Sequence, residues 1–143
     1  MTSALIAALF FTVLLLVVTA YFSMGSLPLL ILKHDTPMDS RFVRGFFDTC
    51  YLTEMSAAGA TAVAYALAGR LGLAAGATLL TLLAVALRRS IIPRMDSLRA
   101  QIQASPGHAI AAFRRMHLAA IVVNLAQLVA IVWCLIAVSI RMR

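Results

Sequence analysis

The sequence predicts an all-α membrane protein, a four-transmembrane-helix antiparallel bundle with both termini periplasmic. Three observations lead there. Of the 143 residues, 63% are hydrophobic and only 12% are charged, whereas a soluble globular domain carries roughly 45–50% apolar and about 25% charged residues. The chain has room for four apolar spans of the roughly 20 residues that a helix needs to cross a bilayer, with no separate soluble domain. The basic residues are also unevenly placed. Nine of them (Lys33, Arg41, Arg44, Arg88, Arg89, Arg94, Arg99, Arg114 and Arg115) flank the first and third connections, against three (Arg70, Arg141 and Arg143) on the other side. The positive-inside rule puts the richer side in the cytoplasm, and four spans put those two connections on one side in any case. The location that follows is the bacterial inner membrane, crossed several times.

Residues 1–32 carry no charge. The first helix is expected over about residues 3–32, with a kink near 25–28 where Gly25 and Pro28 interrupt it. The N-terminus lacks the charged start of a signal peptide, and its apolar run exceeds the roughly 7–15 residues of such a segment, so it reads as a retained first span. A polar cytoplasmic loop, 33–40, follows, with Asp39 or Ser40 as a cap for the second helix, about 41–68. "AGRLG" (Ala68–Gly72) makes a tight turn into the third helix, about 71–91, which Pro93 is expected to end. A second cytoplasmic loop, 92–105, contains "MDSLRAQI", suited to a short amphipathic helix on the membrane surface. Ser105 and Pro106 form a cap and first turn for the fourth helix, about 106–140. At 1.5 Å per residue that helix is roughly 50 Å long against a hydrocarbon core of about 30 Å, so its first turns project into the cytoplasm.

Small residues mark the second and third helices. Ala58, Ala62 and Ala66 recur every four positions, and Gly72 and Gly76 form a GxxxG. Such residues let membrane helices approach closely, within the bundle or towards a second copy or a larger membrane complex. The first helix is bulky and reads as lipid-facing.

Ionisable groups within a span are costly, by about 2.5–3.5 kcal/mol on insertion scales, and call for partners. Glu54 is such a group, about ten residues inside Arg44. Helical spacing places Tyr51 and Thr61 on its face, where both can hydrogen-bond to it. On the fourth helix His117 and Asn124 are seven apart and share a face, with Gln127 one turn beyond. Depth counted from the cytoplasmic side sets Asn124 level with Glu54, and Asp48 level with His117 and Arg115. The expectation is an intramembrane polar cluster of Asp48, Glu54, His117 and Asn124, supported by Tyr51, Thr61 and Arg115. In it Glu54 pairs with Asn124, and Asp48 with His117, Arg114 or Arg115. The cluster serves either as an interhelical clasp or as a ligand or proton site.

Other chemistry finds less support. Cys50 and Cys134 fall near opposite ends of their spans, which argues against a disulfide, and no cysteine or histidine spacing suits a metal. No cofactor is expected; haem on His117 is the alternative. The net charge of +7 sits beside the spans, so anionic lipid headgroups, not nucleic acid, are the expected partners.

"RFVRGFFDTCYL" and "IIPRMDSLRAQ…AFRRMHLAAIVVNLAQLVAIVW" together resemble a group of small bacterial four-helix membrane proteins. In that group a Pro-x-(Ile/Met)-Asp-x-Leu stretch follows the third helix and an Arg-x-His…Asn motif opens the fourth. Pro93, Asp96, Leu98, Arg115, His117 and Asn124 stand at the matching places. The group is similar in layout to the anthrone-oxygenase-like membrane proteins and to transmembrane protein 205. The resemblance implies the fold and a polar cluster at the cytoplasmic end of the second and fourth helices. The favoured expectation is a non-enzymatic accessory or assembly partner of a larger membrane complex. A membrane oxygenase acting on a lipophilic aromatic or quinone-like substrate, and a small proton-coupled exporter, are the alternatives.

Overall fold

A computed structural model describes residues 3–33, 37–104 and 106–141. All its regular elements are helical: α1 (Ser3–Ser26), a 3-10 helix (Pro28–Ile31), α2 (Pro37–Leu67), α3 (Leu71–Ala104) and α4 (Pro106–Arg141). Three stretches are long and apolar enough to cross a membrane: Ser3–Ile31, Leu71–Ala104 and His108–Ile140. The α2 helix is not among them, because Asp48, Glu54 and several threonines and serines dilute its apolar content.

The expected interruption near residues 25–28 is present. Pro28 opens the 3-10 turn, where its missing N–H costs little, after α1 has ended at Ser26. Gly25 is needed for a different reason, since a Cβ there would stand 2.9 Å from Cζ of Phe46. The second helix begins at Pro37, earlier than its expected start. Proline suits the first turn, and Asp39 within that turn complements the helix dipole. Residues 34–36 of the expected loop, and the proposed Ser105 cap, lie outside the described residues.

The α2–α3 turn follows from Gly69, whose φ of +70° is open to glycine at low cost. Its N–H bonds to Ala66 O at 3.0 Å, and that of Arg70 bonds to Tyr65 O at 2.9 Å. This is the Schellman pattern, which satisfies the last carbonyls of α2.

The main departure from expectation is α3. It does not end at Pro93 but continues to Ala104 with the proline inside it, so most of the expected loop 92–105 is helix. Proline removes one intrahelical bond and crowds the preceding turn. Burial and charge on the far side offset this. Ile92, Met95 and Ile102 pack with Val43, Phe47, Tyr51 and Phe113, while Arg44 of α2 bonds Asp96 at 3.1 Å. The amphipathic stretch thus covers the end of the bundle instead of lying apart on the membrane surface.

Adjacent helices are α1–α2, α2–α3, α3–α4 and α4–α1, so α2 and α4 face each other across a diagonal. Short connections make successive helices antiparallel. Buried residues fall into layers along the bundle axis. The aromatic layer just described fills the arginine-rich end. Leu15, Ala57, Ala58 and Ile131 form a middle layer. Ala8, Ala64, Tyr65 and Ala74 fill the opposite end. Phe10, Val17, Leu79, Leu82, Val129 and Trp133 point outward, an apolar surface suited to lipid. The first helix therefore presents an exposed apolar surface on one side only; its other side helps to line the core.

Candidate functional site

Between the aromatic layer and the Leu15–Ile131 layer the bundle interior turns polar. The first helix contributes Thr19 and Ser23, α2 contributes Cys50, Tyr51 and Glu54, and α4 contributes Asn124 and Gln127; all are buried. Helical periodicity brings them there. On α1, Thr12, Thr19, Ser23 and Ser26 are separated by seven, four and three residues and share one buried stripe. On α2, Cys50 and Glu54 are one turn apart, and on α4 Asn124 and Gln127 are likewise one turn apart.

Glu54 is 3% exposed. The Cys50 thiol on its own helix and the Thr19 hydroxyl of α1 stand beside its carboxyl as weak donors, but neither closes to full hydrogen-bond geometry. Asn124 reaches across the diagonal, but its amide donates to Cys50 Sγ at 3.5 Å. Among the described residues no hydrogen-bond partner meets either carboxyl oxygen of Glu54, nor Thr19 Oγ1, Ser23 Oγ, Tyr51 OH, Asn124 Oδ1 or Gln127 Oε1. Native interiors leave few such groups, and each calls for a cause. The two α1 hydroxyls are informative. Thr12, Thr61, Thr78 and Thr81 each donate to the carbonyl four residues back, the usual resting place of a helical hydroxyl. Thr19 and Ser23 do not take that bond.

The structure brings Glu54, Tyr51 and Asn124 into one layer. The imidazole of His117, fully buried two turns from Asn124, packs edge-on against Phe47 with centroids 5.3 Å apart. It therefore borders the layer from the aromatic side. Asp48 does not join. It accepts from Arg88 of α3 at 2.8 Å and from Arg44 at 3.2 Å, because its position on α2 faces α3, not the diagonal helix. With Arg44–Asp96 and Asp96–Arg99, these contacts form a ladder that joins α2 to α3. Arg114 and Arg115 are exposed, away from Asp48. Thr61 is buried but bonds its own backbone at Ala57, two turns from Glu54. The anticipated Glu54–Asn124 bond is absent among the described contacts, Cys50 taking the Asn124 amide instead.

The small residues divide in a similar way. Ala58 is buried, but Ala66 is exposed, and α3 buries Ala74, Ala77 and Ala84 in place of Gly72 and Gly76. A Cβ on either glycine would meet nothing within 4 Å. Both glycines instead line an apolar crevice of about 300 Å³ that α3 and α4 share with Thr61 and Tyr65 of α2.

Cys50, Thr19 and Ser23 were the members that sequence reasoning passed over. The first stands four residues before Glu54, and the stripe of α1 hydroxyls has helical spacing, so both signals were present.

The chain matches no known family model, no curated protein and no solved structure.

Proposed function

We propose that the chain is a four-span protein of the bacterial inner membrane that acts as a small carrier, with Glu54 as the group that takes up and releases charge during the cycle. In this reading α2 also crosses the membrane, sheltered by α1 and α3, with the arginine-rich connections in the cytoplasm and both termini periplasmic. The observation that carries the proposal is the state of Glu54: buried in the interior, facing the Cys50 thiol and the Thr19 hydroxyl, and with neither oxygen taking a full hydrogen bond among the described residues. A structural clasp would satisfy its carboxyl, because an unsatisfied buried polar group costs about 1–3 kcal/mol. A carboxyl kept open in a membrane interior suits a guest that comes and goes, and ionisable groups within spans mark ion and substrate pathways.

The experiment is transport in proteoliposomes. Lipophilic cations should drive proton movement in wild-type vesicles, and Glu54→Gln, which keeps the shape, should abolish it. Equal proton movement in both would refute the carrier reading.

A second reading, an accessory subunit of a larger membrane complex, is favoured by Gly72 and Gly76 facing open space, where a partner helix can approach closely. It predicts that a larger complex co-purifies in mild detergent and that Gly76→Leu releases it. A lone monomer from wild-type membranes would count against it.

A further inference from the structure

The carrier reading leaves open which ion balances Glu54, and the residues around it narrow the choice. We infer that the Glu54 layer binds one monovalent cation, Na⁺, in competition with a proton. The inference rests on Glu54 being a binding group and names its ligand.

The donor set is rich in oxygen. Glu54 offers two carboxyl oxygens and faces the hydroxyl of Thr19. Asn124 Oδ1, Ser23 Oγ and Gln127 Oε1 add neutral oxygens in the same buried layer, and none has a hydrogen-bond partner among the described residues. Hard cations take carboxylate, carbonyl and hydroxyl oxygens. Thr19 and Ser23 supply the independent sign. Their hydroxyls forgo the backbone bond that Thr12 and Thr61 donate, so their hydrogens are not committed to a carbonyl and can turn away from a cation on the oxygen.

Charge fixes the valence. Among the described residues the layer holds one acid, Glu54, and no Lys or Arg, with His117 bordering it from the aromatic side. A single positive charge neutralises it, whereas a divalent ion would leave a net charge in lipid, where charge is costly. Among the described residues no group of three His, Cys, Asp or Glu is placed to hold a multivalent metal. The other titratable groups around Glu54 are few. Its own helix brings Cys50 and Tyr51, and α4 brings His117, two turns from Asn124. The first helix brings only hydroxyls. Arg88 of α3 is engaged by Asp48. A proton on Glu54 and a Na⁺ beside it are therefore alternative ways to balance the same charge.

A ligand that binds only the folded state raises stability with its concentration. The test is thermal unfolding of the purified protein in detergent, with NaCl, KCl or choline chloride at equal ionic strength, across a range of pH. The expected result is a higher Tm in Na⁺ than in choline. That difference should grow as pH rises and the carboxyl ionises, vanish in Glu54→Gln and shrink in Thr19→Val. Because Glu54→Gln keeps the fold's volume and Thr19→Val its shape, loss of the Na⁺ effect is separable from misfolding by comparing Tm in choline. Equal Tm in Na⁺ and choline at every pH would overturn the inference, as would a Na⁺ effect that persists in Glu54→Gln. A Tm that depends on pH through Glu54 but not on Na⁺ would also overturn it, while leaving proton carriage, and so the carrier reading, intact.

Discussion

The contact that most clearly separates this structure from the pairing expected of the sequence is made by Asp48, and a double-mutant cycle measures it. Its carboxylate accepts from Arg88 at 2.8 Å and from Arg44 at 3.2 Å. The Asp48 side chain is 27% exposed and that of Arg88 is 42% exposed, so solvent screens part of the attraction. Exposed pairs contribute about 0.2–1 kcal/mol each, and Asp48→Asn, which loses two, should cost about 0.4–2 kcal/mol by the same rule. Unfolding in mild detergent is followed for Asp48→Asn, Arg88→Gln and the double variant. The coupling should be about 0.2–1 kcal/mol and should weaken at high salt, as a partly exposed pair must. The parallel cycle with Arg115→Gln should show no coupling. Coupling of Asp48 to Arg115 or His117 that exceeds its coupling to Arg88 would refute the arrangement.

Two further outcomes test how the bundle is assembled. Pro93 is exposed within a continuous helix, and interior proline costs about 3 kcal/mol relative to alanine, so Pro93→Ala should raise the unfolding temperature; no change would mean that α3 does not run on past this position. Gly25→Leu drives a side chain into Phe46, 2.9 Å from the first added atom, and should lower stability by about 1–3 kcal/mol, as overpacking does, a loss that Phe46→Ala should partly restore.

Helix placement was legible wherever one physical cause acted alone. Gly25 and Pro28 marked the end of α1, and "AGRLG" marked the turn at Gly69. Pro93 misled because two causes competed there. Its local penalty was readable, but the burial of Met95 and the Arg44–Asp96 bond that outweigh it are long-range. The polar layer was legible in part for the same reason. Periodicity along one helix brought Glu54 together with Tyr51, and His117 with Asn124. It could not show that α2 and α4 stand across a diagonal, which turns Asp48 towards α3 and gives the Asn124 amide to Cys50. The role of α1 was hidden behind its bulky outward residues, although its four buried hydroxyls kept helical spacing throughout.

The central claim is that Glu54 is held open for a guest and does not clasp the helices. The stability of Glu54→Met, measured in Na⁺-free detergent, tests this most directly. Methionine keeps the length of the side chain and removes the unsatisfied carboxyl, so the variant should be more stable than wild type by about 1–3 kcal/mol, the cost of leaving a buried polar group unpaired. A loss of stability, of the size produced by Asn124→Leu and not additive with it, would show that Glu54 and Asn124 work as a clasp and would contradict the account.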